Sequence, residues 1–151
     1  MTKMLSLITI SLLLGSQCSA QSNQQSNAPI QQSHIEAHVP AVQVFRAMLE
    51  RDLLEYARAS IDPSTTSVEY KLLREQPTQS GVAYPKYYAW IRVLAGSQVI
   101  REGATRIATI NRTSFEVTDF FSSQQIKFSP DRISLTFPAP LVAGIFALAA
   151  K

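Results

Sequence analysis

Residues 84–109, YPKYYAWIRVLAGSQVIREGATRIAT, decide the architecture, because they read as one long β-hairpin. Two arms rich in β-formers flank Gly96-Ser97: Tyr87, Tyr88, Trp90, Ile91 and Val93 on one side, Val99, Ile100, Thr105 and Ile107 on the other. A Gly-Ser pair in that place suits a two-residue turn with positive φ at its first position. Something must cover such a hairpin, and the rest of the chain supplies it.

Upstream, residues 40–60 predict a helix. Val42, Phe45, Leu49, Leu53 and Tyr56 recur at three- and four-residue steps and form an apolar stripe, with Met48 beside it. Arg46/Glu50 and Arg51/Glu55 are opposite charges four apart, each pair worth a few tenths of a kcal/mol. Pro40 suits a first helical turn, and Ile61-Asp62-Pro63 stops the helix. In residues 65–75, Val68, Tyr70 and Leu72 alternate with Glu69 and Lys71, the pattern of a half-buried strand, and Pro77 and Gly81 mark a loop at 76–82. Downstream, Asn111-Arg112 predicts a second two-residue turn and residues 114–121 a fourth strand. The chain then turns polar at 122–125 and breaks at Pro130. Its last stretch, PAPLVAGIFALAAK at 138–151, reads as a short helix opened by Pro140, with Leu141, Ile145 and Leu148 turned inward. That helix is too short to span a membrane and is expected to dock on the sheet.

The expected class is α+β: one long N-terminal helix packed on a four-stranded antiparallel meander, with a short C-terminal helical tail. At 151 residues, with 46% hydrophobic and 17% charged, the chain has enough apolar material for one real core and too little length for two domains. Residues 39–151 form the single domain. Residues 1–20 have the pattern of an export signal: Lys3 at the start, an apolar run over 4–14 and a small-residue end over 15–20. Two exits from it stand open, cleavage after Ala20 or lipidation of Cys18 as in bacterial lipoproteins. Residues 21–38, beginning QSNQQSNAPIQQS, form a flexible polar linker. Cys18 is the sole cysteine, so the folded part carries no disulfide or thiolate chemistry. Loss of the signal leaves thirteen basic against eleven acidic residues, a net charge of +2 with the basic groups scattered, which argues against a nucleic-acid partner.

A helix at 40–60 followed by strands at 68–72, 87–93, 99–110 and 115–121 resembles, in element order, the cystatin-like and nuclear-transport-factor-2-like group of folds. The resemblance implies a curved sheet wrapping one long helix. No inhibitory residue carries over, because Gln98-Val99-Ile100-Arg101-Glu102-Gly103 does not space the glutamine-valine-glycine signature of the cystatins.

Two-residue turns at both sites fix a register. Val93 then faces Ile100, Ile91 faces Glu102, Ala89 faces Ala104 and Tyr87 faces Arg106. Phe115 lies across from Ala108, Val117 from Arg106, Asp119 from Ala104 and Phe121 from Glu102. The helix-covered face carries Ile91, Val93, Ile100, Ala108, Ile110, Phe115, Val117 and Phe121, and it also buries Tyr87, Glu102, Arg106 and Asp119. Those four are the candidate ligand pocket, with Arg106 recognising an anionic or carbonyl group; the bland reading is an ion pair at the rim. The opposite face carries Tyr88, Trp90, Arg92, Arg101, Thr105, Glu116 and Thr118, with Gly103 beneath Trp90. Tyr88, Trp90, Arg92 and Arg101 suit a protein partner surface, or else they lie under the C-terminal tail.

No catalytic residue, metal site or cofactor is assigned. His34 and His38 stand four apart in HIEAH, but that is not a zinc-protease spacing and the sequence fixes no third ligand. The expected function is an exported, non-enzymatic binding or accessory domain of the periplasm or cell surface. Its partner is a protein or a small ligand, and it touches a membrane only through a lipid on Cys18. Two alternatives stand beside it: a small cone-pocket isomerase or hydratase with Asp119 as base and Tyr87 as hydrogen-bond donor, and a structural envelope lipoprotein.

Overall fold

The computed structural model describes residues 35–151. The export signal, Cys18, His34 and all but the last four residues of the polar linker lie outside the described residues. Helix α1 (Val42–Ser60) is followed by strands β1 (Ser67–Leu72), β2 (Lys86–Ala95), β3 (Gln98–Ile110) and β4 (Ser114–Ser122), then by helices α2 (Ser123–Phe128), α3 (Pro130–Thr136) and α4 (Ala139–Ala149). The strands form one antiparallel sheet in the order β1-β2-β3-β4, and the fold is α+β.

The sheet is covered on both faces. From β2, Tyr87, Ala89, Ile91 and Val93 pack with Leu49, Leu53 and Ala57 of α1. The alternate residues Tyr88 and Trp90 pack with Ile126, Ile133, Phe137, Ile145 and Ala149 of the C-terminal segment. A strand buried on both sides needs no polar face, and this is why YYAWI can run without alternation. On α1, Leu49, Leu53 and Ala57 are buried, and Phe45 stacks edge-on against both Tyr87 and Phe115 at 5.0 Å. Val42, assigned above to the stripe, is 88% exposed: it sits in the first turn, beyond the Phe45 contact. The Arg46–Glu50 pair forms at 2.7 Å. Arg51 turns to Asp52 (2.7 Å) rather than Glu55 and donates to the Thr113 carbonyl at 3.0 Å. The second Asp52 oxygen, Oδ2, accepts the Phe115 N–H at 2.7 Å, so α1 is clamped to the outer margin of β4.

The Gly96-Ser97 turn forms as expected, with Gly96 at φ +61° and Ala95 opposite Gln98. Beyond it the register departs from the expected one. A bulge between Val93 and Leu94 sets Val93 against Arg101, Ile91 against Gly103, Ala89 against Thr105 and Tyr87 against Ile107. The second connection holds three residues, not two: Ile110 pairs with Ser114, and Asn111 and Arg112 both take positive φ, at 51° and 63°. His38 helps hold that loop, its carbonyl accepting the Arg112 N–H at 2.8 Å and its ring meeting Tyr84 edge-on at 4.9 Å. A second bulge, between Arg106 and Ile107, sets Arg106 against Asp119 and Ala104 against Phe121.

The physical reason is charge. Unbroken pairing would have placed Glu102 and Arg106 beneath α1, at a cost of several kcal/mol. The bulges substitute Thr105 and Ile107, and the fully buried Thr105 hydroxyl is satisfied by the Asp119 carbonyl at 2.9 Å. Ile91, Val93, Ile100, Phe115 and Val117 keep the α1 face, whereas Phe121 moves to the other core and Phe120 takes its place beside α1.

The C-terminal segment has more helix than expected. Ser122 caps α2 through a reciprocal box with Gln125, its side chain accepting the Gln125 N–H while the Gln125 side chain accepts the Ser122 N–H. Pro130 opens α3 instead of merely breaking the chain, and α4 begins with Pro140 in its first turn and buries Ile145 and Ala149.

At Gly103 the β4 backbone passes close over β3. A Cβ there would lie 2.0 Å from the Phe121 carbonyl oxygen, a backbone atom that cannot rotate aside. Gly103→Ala should therefore destabilise the fold by about 1–3 kcal/mol, seen as a lowered urea midpoint at unchanged slope. A loss below ~0.5 kcal/mol would contradict this crossing.

Candidate functional site

The residues expected to form a pocket are divided between the two faces. Tyr87 is buried on the α1 side among Phe45 and Phe115. Arg106 and Asp119 stand on the other side, in line with Tyr88. The Arg106 Nη2 lies 2.6 Å from Asp119 Oδ2, a contact of opposite charges without hydrogen-bond alignment. The Arg106 Nε donates to Thr118 Oγ1 at 3.1 Å, and the Thr118 hydroxyl donates back to the Arg106 carbonyl at 3.2 Å. Lys86 stands nearby, its ammonium pushed down by burial and further by the Arg106 charge. This guanidinium is engaged within its own sheet. Asp119 and Tyr87 lie on opposite faces and cannot address one substrate atom, which removes the acid–base pairing expected of a cone-pocket enzyme. Glu102 is opposite Arg92, and its carbonyl accepts from Ser123 at the start of α2 at 3.3 Å.

The second expected set is divided as well. Tyr88 and Trp90, 5% and 7% exposed, lie under α2–α4, so the tail covers them and no aromatic partner surface is left there. The Tyr88 hydroxyl shares a hydrogen bond with Thr78 at 2.8 Å. Arg92 is exposed beyond that cover and pairs with Glu69 at 2.5 Å. Arg101 is carried by the first bulge to the α1 side, opposite Val93.

What the register shifts do assemble is a trough between the C-terminal half of α1 and β4. One end, about 500 Å³, is lined by Tyr56, Ser60, Ile61, Arg101, Phe120 and Gln125 among others. The adjoining end, about 330 Å³, shares Tyr56 and Ser60 and adds Glu55, Glu116 and Val117. Both bulges are needed, since the first delivers Arg101 to this side and the second delivers Phe120. Burial, reinforced by the Asp119 charge, pushes the Tyr56 phenol up, so this hydroxyl is a neutral donor. Arg101 is exposed and makes no ion pair among the described residues; its field helps hold the Asp62 carboxyl down, behind the larger effect of Ser64 hydrogen bonds. The trough thus runs from a cationic end at Arg101, past the apolar and phenolic surface of Phe120 and Tyr56, to an acidic end at Glu55, whereas the Glu116 side chain alternates to the face that carries Lys86. Such a walled, open strip can hold an extended chain segment with a carboxylate or carbonyl at Arg101. A further hollow of about 540 Å³ runs along Arg51, Leu54, Glu55, Arg58 and Ala59, all on α1.

Among the described residues no group of three or more His, Cys, Asp and Glu side chains is placed to hold a metal ion. No protein-family model, curated protein or solved structure matches the chain.

Burial also pushes the Tyr87 phenol above its ordinary 10.0. The unfolded chain ionises first, so the stability Tyr87 lends is complete below that pH and is lost as pH rises through the folded value. Tyr87→Phe should flatten the fall in unfolding free energy between about pH 9 and 11, measured by chemical denaturation. An unchanged slope would mean that the Tyr87 hydroxyl is not desolvated.

Proposed function

We propose that this chain is a small exported binding or accessory module of the bacterial periplasm or cell surface, without a reaction of its own, and that the α1–β4 trough receives an extended segment of a protein partner. The trough carries the reading: it is open along its length and has an exposed cation at one end and the Glu55 carboxylate at the other. The run from Lys3 to Ala20 supports export, and Cys18 supplies a route to a lipid tether. The order α1-β1-β2-β3-β4 supports kinship with the cystatin-like and nuclear-transport-factor-2-like group, in which a long N-terminal helix packs on a meander, here with a helical C-terminal tail added. In this reading the domain is a rigid clasp, and specificity lies in the spacing of Arg101 from Glu55.

The test is capture of partners from an envelope extract by wild type, Arg101→Glu, Tyr56→Ala and, as a control on the opposite face, Arg92→Glu. Partners should be lost with the two trough variants and kept with the control. Equal recovery by all four proteins would remove the trough from consideration.

A further inference from the structure

The outer margin of β1 is a free hydrogen-bonding edge. The Leu73 N–H bonds the Tyr88 carbonyl at 2.8 Å, which makes the odd residues of β1 face β2. Antiparallel pairing alternates, so the N–H and C=O groups of Val68, Tyr70 and Leu72 point away from the sheet. None of them has a partner among the described residues. The strand carries no proline and no bulge within it, two devices that commonly block such edges. Beside it, between Arg46 and Glu50 of α1 and Val68 and Tyr70 of β1, lies an open hollow of about 590 Å³.

The sequence of this edge, SVEYKL, matches itself. We propose that two copies of the chain associate through β1, antiparallel and two-fold about Tyr70, joining their sheets into one. Only registers that oppose even residues use the outward groups on both strands. Centring on Tyr70 sets Val68 opposite Leu72 of the second copy and Glu69 opposite Lys71 of the second copy, each twice by symmetry. The neighbouring allowed registers centre on Glu69 or on Lys71 and set like charges face to face, which is unfavourable. Charge and hydrogen-bond parity thus select one alignment. The sides also agree. Val68, Tyr70 and Leu72 are half-buried on the α1 face, and the hollow next to α1 has room for the apolar side chains arriving from the other copy. Glu69 and Lys71 point to the opposite face, where Lys71 is exposed and makes no ion pair among the described residues. This surface is separate from the α1–β4 trough and does not depend on its role.

The experiment exploits the charge pattern. Sedimentation or light scattering up to about 100 µM protein should show wild type as a dimer. K71E sets carboxylate against carboxylate at both cross-strand pairs flanking the two-fold axis, and E69K sets ammonium against ammonium there; each should raise the dimer dissociation constant about tenfold or more. Mixed in equal amounts the two variants are complementary again, and the mixture should recover dimer. Circular dichroism of K71E, whose exposed side chain the protomer does not use, verifies folding. A monomeric wild type, a dimer indifferent to K71E, or a mixture that stays monomeric would each overturn the proposal.

Discussion

Glu102 and Arg106 stand in the middle of the longest strand of a sheet that is covered on both sides. A charge sealed beneath α1 would cost more than a local break in pairing, and the arrangement of β3 and β4 follows from that inequality. Each bulge shifts the register of a strand pair by one residue and exchanges faces beyond the shift. The first removes Glu102 and Arg106 from the α1 side and sets Arg101, an exposed arginine at its edge, there instead. The second pairs Arg106 with Asp119 and turns Phe121 into the C-terminal core. What is left beneath α1 is Thr105, Ile107 and Thr109, and each buried hydroxyl reaches a carbonyl.

The same two breaks shape the surface. A regular meander would offer α1 a flat apolar face and leave no hollow at its side. With the breaks, Phe120 and Arg101 arrive next to Tyr56 and Ser60, and α1 and β4 become the walls of a trough. The geometry that avoids burying charge and the geometry that makes a binding strip are one geometry. Gly103 makes it possible, because it lets the β4 backbone pass at a distance that no side chain would tolerate.

Much of this was legible in the sequence. The period of Leu49 and Leu53, the Gly96-Ser97 turn and the alternation of Val68, Tyr70 and Leu72 are short-range signals, and they located the helix, the hairpin and the half-buried strand. The register of β3 and β4 was not legible, because a bulge is a response to burial on the far side of the molecule. It did leave a trace: two-residue turns at both ends crowd Tyr87, Glu102, Arg106 and Asp119 onto a covered face, and four such residues there signal a register error as readily as a pocket. The second turn misled for a local reason, since Asn111 and Arg112 both adopt left-handed backbone and Thr113 joins the loop. The helices after β4 had their own signature in Ser122-Ser123-Gln124-Gln125, a reciprocal cap that a reading for polar loops passes over. The trough was not legible at all, because its lining comes from α1, β3, β4 and α2, and only the folded register gathers them.

At the two lateral margins of the sheet the situation differs. Along β4, a helix carboxylate occupies the Phe115 amide that a fifth strand would seek, so any strand arriving there has first to dislodge Asp52. Along β1 no such guard stands among the described residues. Two copies that meet edge to edge across a dyad at β1 spend the same margin on each other, so that contact closes on itself instead of lengthening into a fibre.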